Sequence, residues 1–151
     1  MTPAPVRKSI RVKAPRAKAF DVFTARFDTW WPRGHHIGAA EMQEAVIEPR
    51  QGGRWYEKGI DGSICQWGEV LVWQPPSRVV LSWRLNSQFK LDEEVNSEVE
   101  VRFIADGPDA TLVELEHRIT AVDAQAIVES VGSPQGWSGL LALYAEKTNA
   151  A

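Results

Sequence analysis

Between residues 48 and 120 the chain is a series of short β-rich runs, each closed by its own turn signal. Glu48-Pro49-Arg50-Gln51-Gly52-Gly53-Arg54-Trp55-Tyr56-Glu57 opens the series. Gly52-Gly53 predicts a tight turn or bulge, because glycine reaches positive φ without a Cβ clash. Asp61-Gly62 predicts a type I′ hairpin. Pro75-Pro76 cannot donate to a ladder, so the strand Gly68–Trp73 stops before it. Asp106-Gly107-Pro108-Asp109 marks a further turn. Punctuated this way, the chain folds as a run of antiparallel strands, since tight turns join neighbours of opposite direction.

The apolar pattern within the runs has period two. Val6, Lys8, Ile10 and Val12 alternate with Arg7, Ser9, Arg11 and Lys13, which predicts a strand with one mostly apolar face. Val79, Leu81, Trp83 and Leu85 share a face. Val95, Ser97, Val99, Val101 and Phe103 alternate with Glu98, Glu100 and Arg102. Thr111, Val113, Leu115, His117 and Ile119 lie opposite Glu114, Glu116 and Arg118. Such strands belong to a sheet that is covered on one side and wet on the other. Helical signals flank them. Pro15 suits a first helical position, and Phe20, Phe23 and Phe27 form an aromatic stripe behind it. Trp30-Trp31-Pro32 closes a second short helical turn, and Arg33 to Ala40 reads as a loop. Ala121 to Val131 forms a helical piece that Gly132-Ser133-Pro134 interrupts, with Ser133 as N-cap and Pro134 as first residue of the next piece. Trp137, Leu140, Leu141 and Tyr144 then sit at i, i+3, i+4 and i+7, a stripe that must lie on the concave face of the sheet.

Composition narrows the function. A chain of 151 residues without repeat or linker reads as a single domain over 1–151 and can bury roughly 70% of its unfolded surface without staples. A net charge of −3 gives no reason to expect nucleic acid or an anionic membrane. Arg7, Lys8, Arg11, Lys13, Arg16 and Lys18 precede the first acid, Asp21. They read as the polar face of a strand and a helix start, since the segment lacks the marks of a presequence. The single cysteine, Cys65, excludes an intrachain disulfide and fits a reducing, cytoplasmic setting. No apolar run reaches the roughly eighteen residues of a membrane-spanning helix. Seven tryptophans are many for this length. Each can be core, but together they suggest an aromatic wall around a cavity, because every enclosed indole needs a partner for its N–H.

The order strand, two short helices, six strands, long helix resembles the START-like (SRPBCC) superfamily with the helix-grip fold. Within it the chain is similar to the AHSA-like branch, named after an activator of a heat-shock-chaperone ATPase. The resemblance rests on Phe20 and Phe23, Pro49 with Gly52-Gly53, Asp61-Gly62, Gly68 and Val70, Pro75-Pro76, Ser82-Trp83 and Gly136-Trp137. It spans about Val6 to Lys147. It implies an α+β fold in which a curved antiparallel sheet of six to seven strands wraps around a long C-terminal helix, with two short helices after strand 1. It further implies a pocket between sheet and helix, and Leu81, Trp83, Val99, Val101, Leu115, His117, Trp137, Leu141 and Tyr144 are placed around it. The superfamily hosts lipid carriers, hormone binders, polyketide cyclases and plain scaffolds, so fold alone does not assign a reaction.

Three functional readings are open. The first is a non-enzymatic domain that holds a small hydrophobic or aromatic ligand. The second is a cyclase, isomerase or hydrolase that uses His117 as acid–base near neutral pH. Glu69 is a further catalytic candidate that would pair with His117 if it faced inward, which strand parity does not decide. Against this stands a core histidine bonded to Tyr144 or a backbone carbonyl. The third is a protein-interaction module. The chaperone activator that names the branch carries an additional N-terminal domain, for which 151 residues leave no room. A homodimer through a sheet edge or the helical region is a further expectation. His35-His36 lacks a third ligand at metal spacing, and Cys65 lacks a nucleophile signature and is expected to be a buried, inert thiol. No metal and no cofactor is therefore expected.

Overall fold

The computed structural model describes residues 4–33, 38, 40–86, 90–92, 94–121, 124–133 and 136–150. Strand β1 (Val6–Val12) is followed by helix α1 (Arg16–Phe23) and a 3₁₀ turn (Phe27–Thr29). Six strands come next: β2 (Met42–Ile47), β3 (Arg54–Gly59), β4 (Ile64–Gln74), β5 (Arg78–Ser82), β6 (Asn96–Ala105) and β7 (Thr111–Thr120). Helices α2 (Ala124–Val131) and α3 (Trp137–Ala150) close the chain. The strands form one curved sheet in the order β1-β7-β6-β5-β4-β3-β2, every pair antiparallel. This is the α+β helix-grip architecture the sequence implies.

Alternation builds the regular part of the sheet. β1 pairs β7 from Val6↔His117 to Val12↔Thr111 without a shift. β7 pairs β6 from Asn96↔Thr120 to Ala105↔Thr111. Val79, Leu81, Val99, Val101, Phe103, Val113 and Leu115 are thereby buried on the inner face. On the outer face, Glu100 accepts from Arg78 (2.7 Å), Arg102 (2.9 Å) and Arg118 (2.8 Å). Burial alone would raise the Glu100 carboxyl, but these hydrogen bonds outweigh it and hold the group below its usual range. Arg7 and Arg11 from the early basic cluster pair there with Glu116 and Asp106.

The other part of the sheet is bulged. Trp55 pairs Gly68 while Tyr56 pairs Gln66, so Trp67 is an extra residue. Val70 pairs Leu81 while Val72 pairs Val80, which makes Leu71 another. A third shift lies between Met42 and Glu44. Each bulge reverses the inward–outward phase of the residues beyond it on its strand. Gly68 makes the first of them possible: a Cβ there would stand 1.9 Å from the Ser82 carbonyl oxygen.

Local details shift some expected turns. The β3–β4 loop has three residues between Gly59 and Ser63 rather than two. Gly62 N–H donates to the Gly59 carbonyl, Gly59 N–H donates to Ser63, and Gly62 sits at φ +87°. That matches the three-residue hairpin with a left-handed glycine, not the two-residue type I′ turn. Pro15 caps α1 from outside instead of starting it, with Ala19 N–H donating to its carbonyl. Ser133 does not cap α3. Its hydroxyl bonds back to the Ser130 carbonyl (2.8 Å), and α3 begins at Trp137. Pro134 lies outside the described residues.

Helix α3 packs on β1 and α1, and the Tyr144 hydroxyl donates to the Ala19 carbonyl at 2.7 Å. The N–H of Lys13 donates to Asn149 Oδ1 at 2.8 Å. No helix among the described residues is long and apolar enough to cross a membrane.

Candidate functional site

All nine residues placed around the expected pocket are buried, and all but His117 belong to one apolar cluster. Leu81, Val99, Val101 and Leu115 come from the inner face of β5, β6 and β7, and Trp83 follows β5. Trp137, Leu141 and Tyr144 come from one side of α3. A tilted ring contact, Trp83–Trp137 at 5.6 Å, joins the sheet side to α3, and edge-to-face contacts of Tyr144 with Trp30 (5.5 Å) and Phe23 (5.2 Å) join α3 to α1 and the 3₁₀ turn. Ring quadrupoles favour such arrangements over flat sandwiches.

The Trp30-Trp31-Pro32 segment now has a structural role. Trp30 donates its indole N–H to the Val22 carbonyl (3.0 Å). Trp31 stacks on Phe27 at 4.8 Å and reaches Trp67 at 5.3 Å and Trp137 at 6.4 Å. Trp31 thereby links α3 to the bulged strand β4. His35-His36 lies outside the described residues.

His117 has no exposed surface and lies against the rings of Trp83 and Trp137. Trp137 Nε1–H donates to its Nδ1 at 3.0 Å. Its Nε2 faces Ser97 Oγ at 3.2 Å. Ser97 spends its own proton on the Trp83 carbonyl at 2.6 Å, so Nε2 carries the imidazole proton and donates it. The expected partners, Tyr144 or a backbone carbonyl, are replaced by an indole and a serine. Protonating Nδ1 would set two N–H groups against each other. Burial, helped by the charge of Arg118, pushes the His117 pKa down to about 3. The imidazole is therefore neutral near pH 7, with both nitrogens committed to the fold. This geometry leaves it no nitrogen for a substrate proton.

Glu69 does not meet His117. It comes after the bulge at Trp67 and adjoins the buried Val70, so it faces out, in an open groove with Gln66, Arg84, Leu91 and Asp92. The carboxyl group inside the molecule is Glu57, 1% exposed. It accepts from Trp67 Nε1–H (3.0 Å) and from the Gly38 N–H (3.1 Å). The signal for it was present in the sequence: Glu57 shares period-two phase with Trp55 on β3. Cys65, half-buried beside it, has its thiol pushed up by burial and by Glu57, which suppresses the thiolate that would react. Among the described residues no three His, Cys, Asp or Glu gather as a metal site would.

The comparison with known families decides the lineage. Residues 13–143 match the family model described as activator of Hsp90 ATPase homolog 1-like protein (AHSA1). The chain belongs to the AHSA1 family. Among solved structures, an anthrahydroquino-γ-pyrone synthase, Txn09, is 35% identical, with 96% of this chain and 97% of that chain covered and a TM-score of 0.62. CalC from Micromonospora echinospora, a self-sacrificing resistance protein, is 32% identical over 97% and 95%, with a TM-score of 0.71. Protein NE0264 from Nitrosomonas europaea is 12% identical over 95% and 92%, with a TM-score of 0.66, and shares the fold alone. No curated protein matches the chain. The relatives thus include a protein that makes an aromatic product and another described by resistance, which separates fold from reaction.

Proposed function

We propose that this AHSA1 protein binds a small, hydrophobic, fused-ring aromatic molecule between the concave face of the sheet and α3. The observation that supports the reading is the aromatic interior, where the tilted rings of Trp83 and Trp137 meet at 5.6 Å between sheet and helix. The relative Txn09 supports the ligand class, since an anthrahydroquino-γ-pyrone is a fused aromatic system bearing oxygen. Mostly apolar sites with a few fixed polar groups suit such molecules. The neutral, doubly bonded His117 favours binding over acid–base catalysis, because a catalytic imidazole must exchange a proton with its substrate.

Titration of the protein with anthraquinone, followed by tryptophan fluorescence and native mass spectrometry, tests this. Saturable quenching at one ligand per chain is expected, with affinity lowered about tenfold by Trp83→Phe, the loss of one good aromatic contact. Quenching that never saturates, with no ligand-bound mass, would refute the reading.

A further inference from the structure

Among the described residues, one buried side-chain polar atom has no hydrogen-bond partner: the indole nitrogen of Trp55. The residue has no exposed surface. Other buried indoles are satisfied, Trp30 by the Val22 carbonyl, Trp67 by Glu57, Trp83 by the Leu85 carbonyl and Trp137 by His117. Trp55 instead sits among rings, with Phe27 at 6.1 Å, Trp67 at 5.5 Å and Trp83 at 5.6 Å. The Phe27 and Trp67 rings stand at 82° and 75° to it, and ring faces are only feeble acceptors. Folded proteins rarely leave a buried N–H orphaned, and each such group calls for an account.

Resting on the proposed binding of a fused aromatic, we infer that the Trp55 indole N–H is the donor that orients the ligand, by hydrogen-bonding a carbonyl or phenolate oxygen on its ring system. The ligand class narrows accordingly. A flat hydrocarbon would bury as much apolar area but leave the N–H unpaired, whereas a quinone-like molecule supplies both a ring and an acceptor. Trp55 suits selection for a second reason. Its donor is unspent, so binding need break no internal hydrogen bond, as recruiting Trp67, Trp83 or Trp137 would. A donor without an acceptor discriminates by what it loses when the wrong molecule binds.

The test compares anthraquinone with anthracene, two flat three-ring molecules that differ in carbonyl oxygens. Affinities are measured for the wild type and for Trp55→Phe, which removes the N–H and keeps a ring. The wild type should prefer anthraquinone about five- to tenfold, the worth of one net hydrogen bond, and Trp55→Phe should abolish the preference while anthracene affinity stays within about twofold. In ¹⁵N-indole-labelled wild-type protein, the Trp55 N–H resonance should move downfield on adding anthraquinone and not anthracene. That readout survives even if the variant folds poorly. Equal wild-type affinities, a preference that persists in Trp55→Phe, or a stationary Trp55 resonance in the presence of bound anthraquinone would overturn the assignment while leaving ligand binding intact. Failure of both molecules to bind would instead remove the binding reading itself, and this inference with it.

Discussion

The two halves of the sheet are built by different rules. β1, β7, β6 and β5 pair without a single shift of register. The pairings of β2, β3 and β4 carry a shift each, including the one between β4 and β5. In the regular half the buried polar groups include His117, each of whose nitrogens has a partner. In the bulged half the buried polar groups are Glu57, held by an indole and a backbone amide, and the unpaired Trp55 N–H. Strict alternation brings inward residues of adjacent strands face to face, so a buried donor and acceptor can be matched across the ladder. A bulge sends an extra large side chain inward, here Trp67, and breaks that matching. The one buried side-chain N–H left unpaired among the described residues lies in the bulged half.

The most severe way to break the contrast is Glu57→Ala. It strips the buried acceptor from Trp67 Nε1–H and from the Gly38 N–H together. A loss of about 4 kcal/mol is expected in urea unfolding, the summed cost of leaving two enclosed donors unsatisfied. If the loss is under about 1 kcal/mol, the bulged half is not organised around Glu57. Gly68→Ala comes next. Its Cβ would collide with the Ser82 carbonyl, so the bulge must straighten or the β4–β5 pairing must part. About 3 kcal/mol should be lost, at the upper end for overpacking. Hydrogen exchange should quicken in β3 and β4 and remain unchanged in β6 and β7, since local opening occurs in cooperative units.

A matched pair of tryptophan substitutions sharpens the comparison. Trp137→Phe and Trp55→Phe delete the same indole N–H from rings that are both buried. The first leaves His117 Nδ1 as an unpaired buried acceptor. The second removes a donor that had no partner. Truncation of either ring costs packing, so the difference between them isolates the polar term. Trp137→Phe should be the more destabilising by about 2 kcal/mol, the penalty for a stranded buried polar group. Equal losses by chemical denaturation would mean that the two halves do not differ in this respect.

The same division decides what the sequence could tell. Alternation over 95–103 and 111–119 puts Val99, Leu115 and His117 on the inner face, and they lie there, because an unshifted ladder preserves parity. Parity fails at Glu69, since the residue count through Trp67 gives no sign that two neighbours share one side of the strand. A bulge is an agreement between two strands, and one strand's pattern does not encode it. The partners of His117 were hidden for a related reason. Ser97 lies across the ladder and Trp137 on another layer, so only register and helix docking bring them to the imidazole. Turn chemistry was legible at Gly52-Gly53, where Gly52 sits at φ +81°. The Asp61-Gly62 loop gained one residue because a left-handed glycine serves both hairpin classes.

The smallest effect concerns protons, and it tests whether His117 is structural. Its pKa in the folded chain is about 3, below the ordinary 6.5. The unfolded chain therefore binds a proton between these values and the folded chain does not, so stability is complete well above pH 6.5 and falls as the pH drops through it. About one unit below that value, near pH 5.5, the loss is about 1.4 kcal/mol. Glu100 and Glu116 act in the same sense, because their carboxyls are held below the usual range. They begin to matter only near and below the ordinary carboxylate pKa of about 4.5. The window from about pH 7.5 to about pH 5.5 thus belongs to histidine, and His117→Gln separates this one from the others. The amide can still accept from Trp137 and donate to Ser97, but it does not titrate. Its stability should change by about 1.4 kcal/mol less than the wild type across that window. If both proteins lose stability in parallel, His117 takes up its proton in the folded state, and the acid–base role that its two hydrogen bonds argue against would have to be reconsidered.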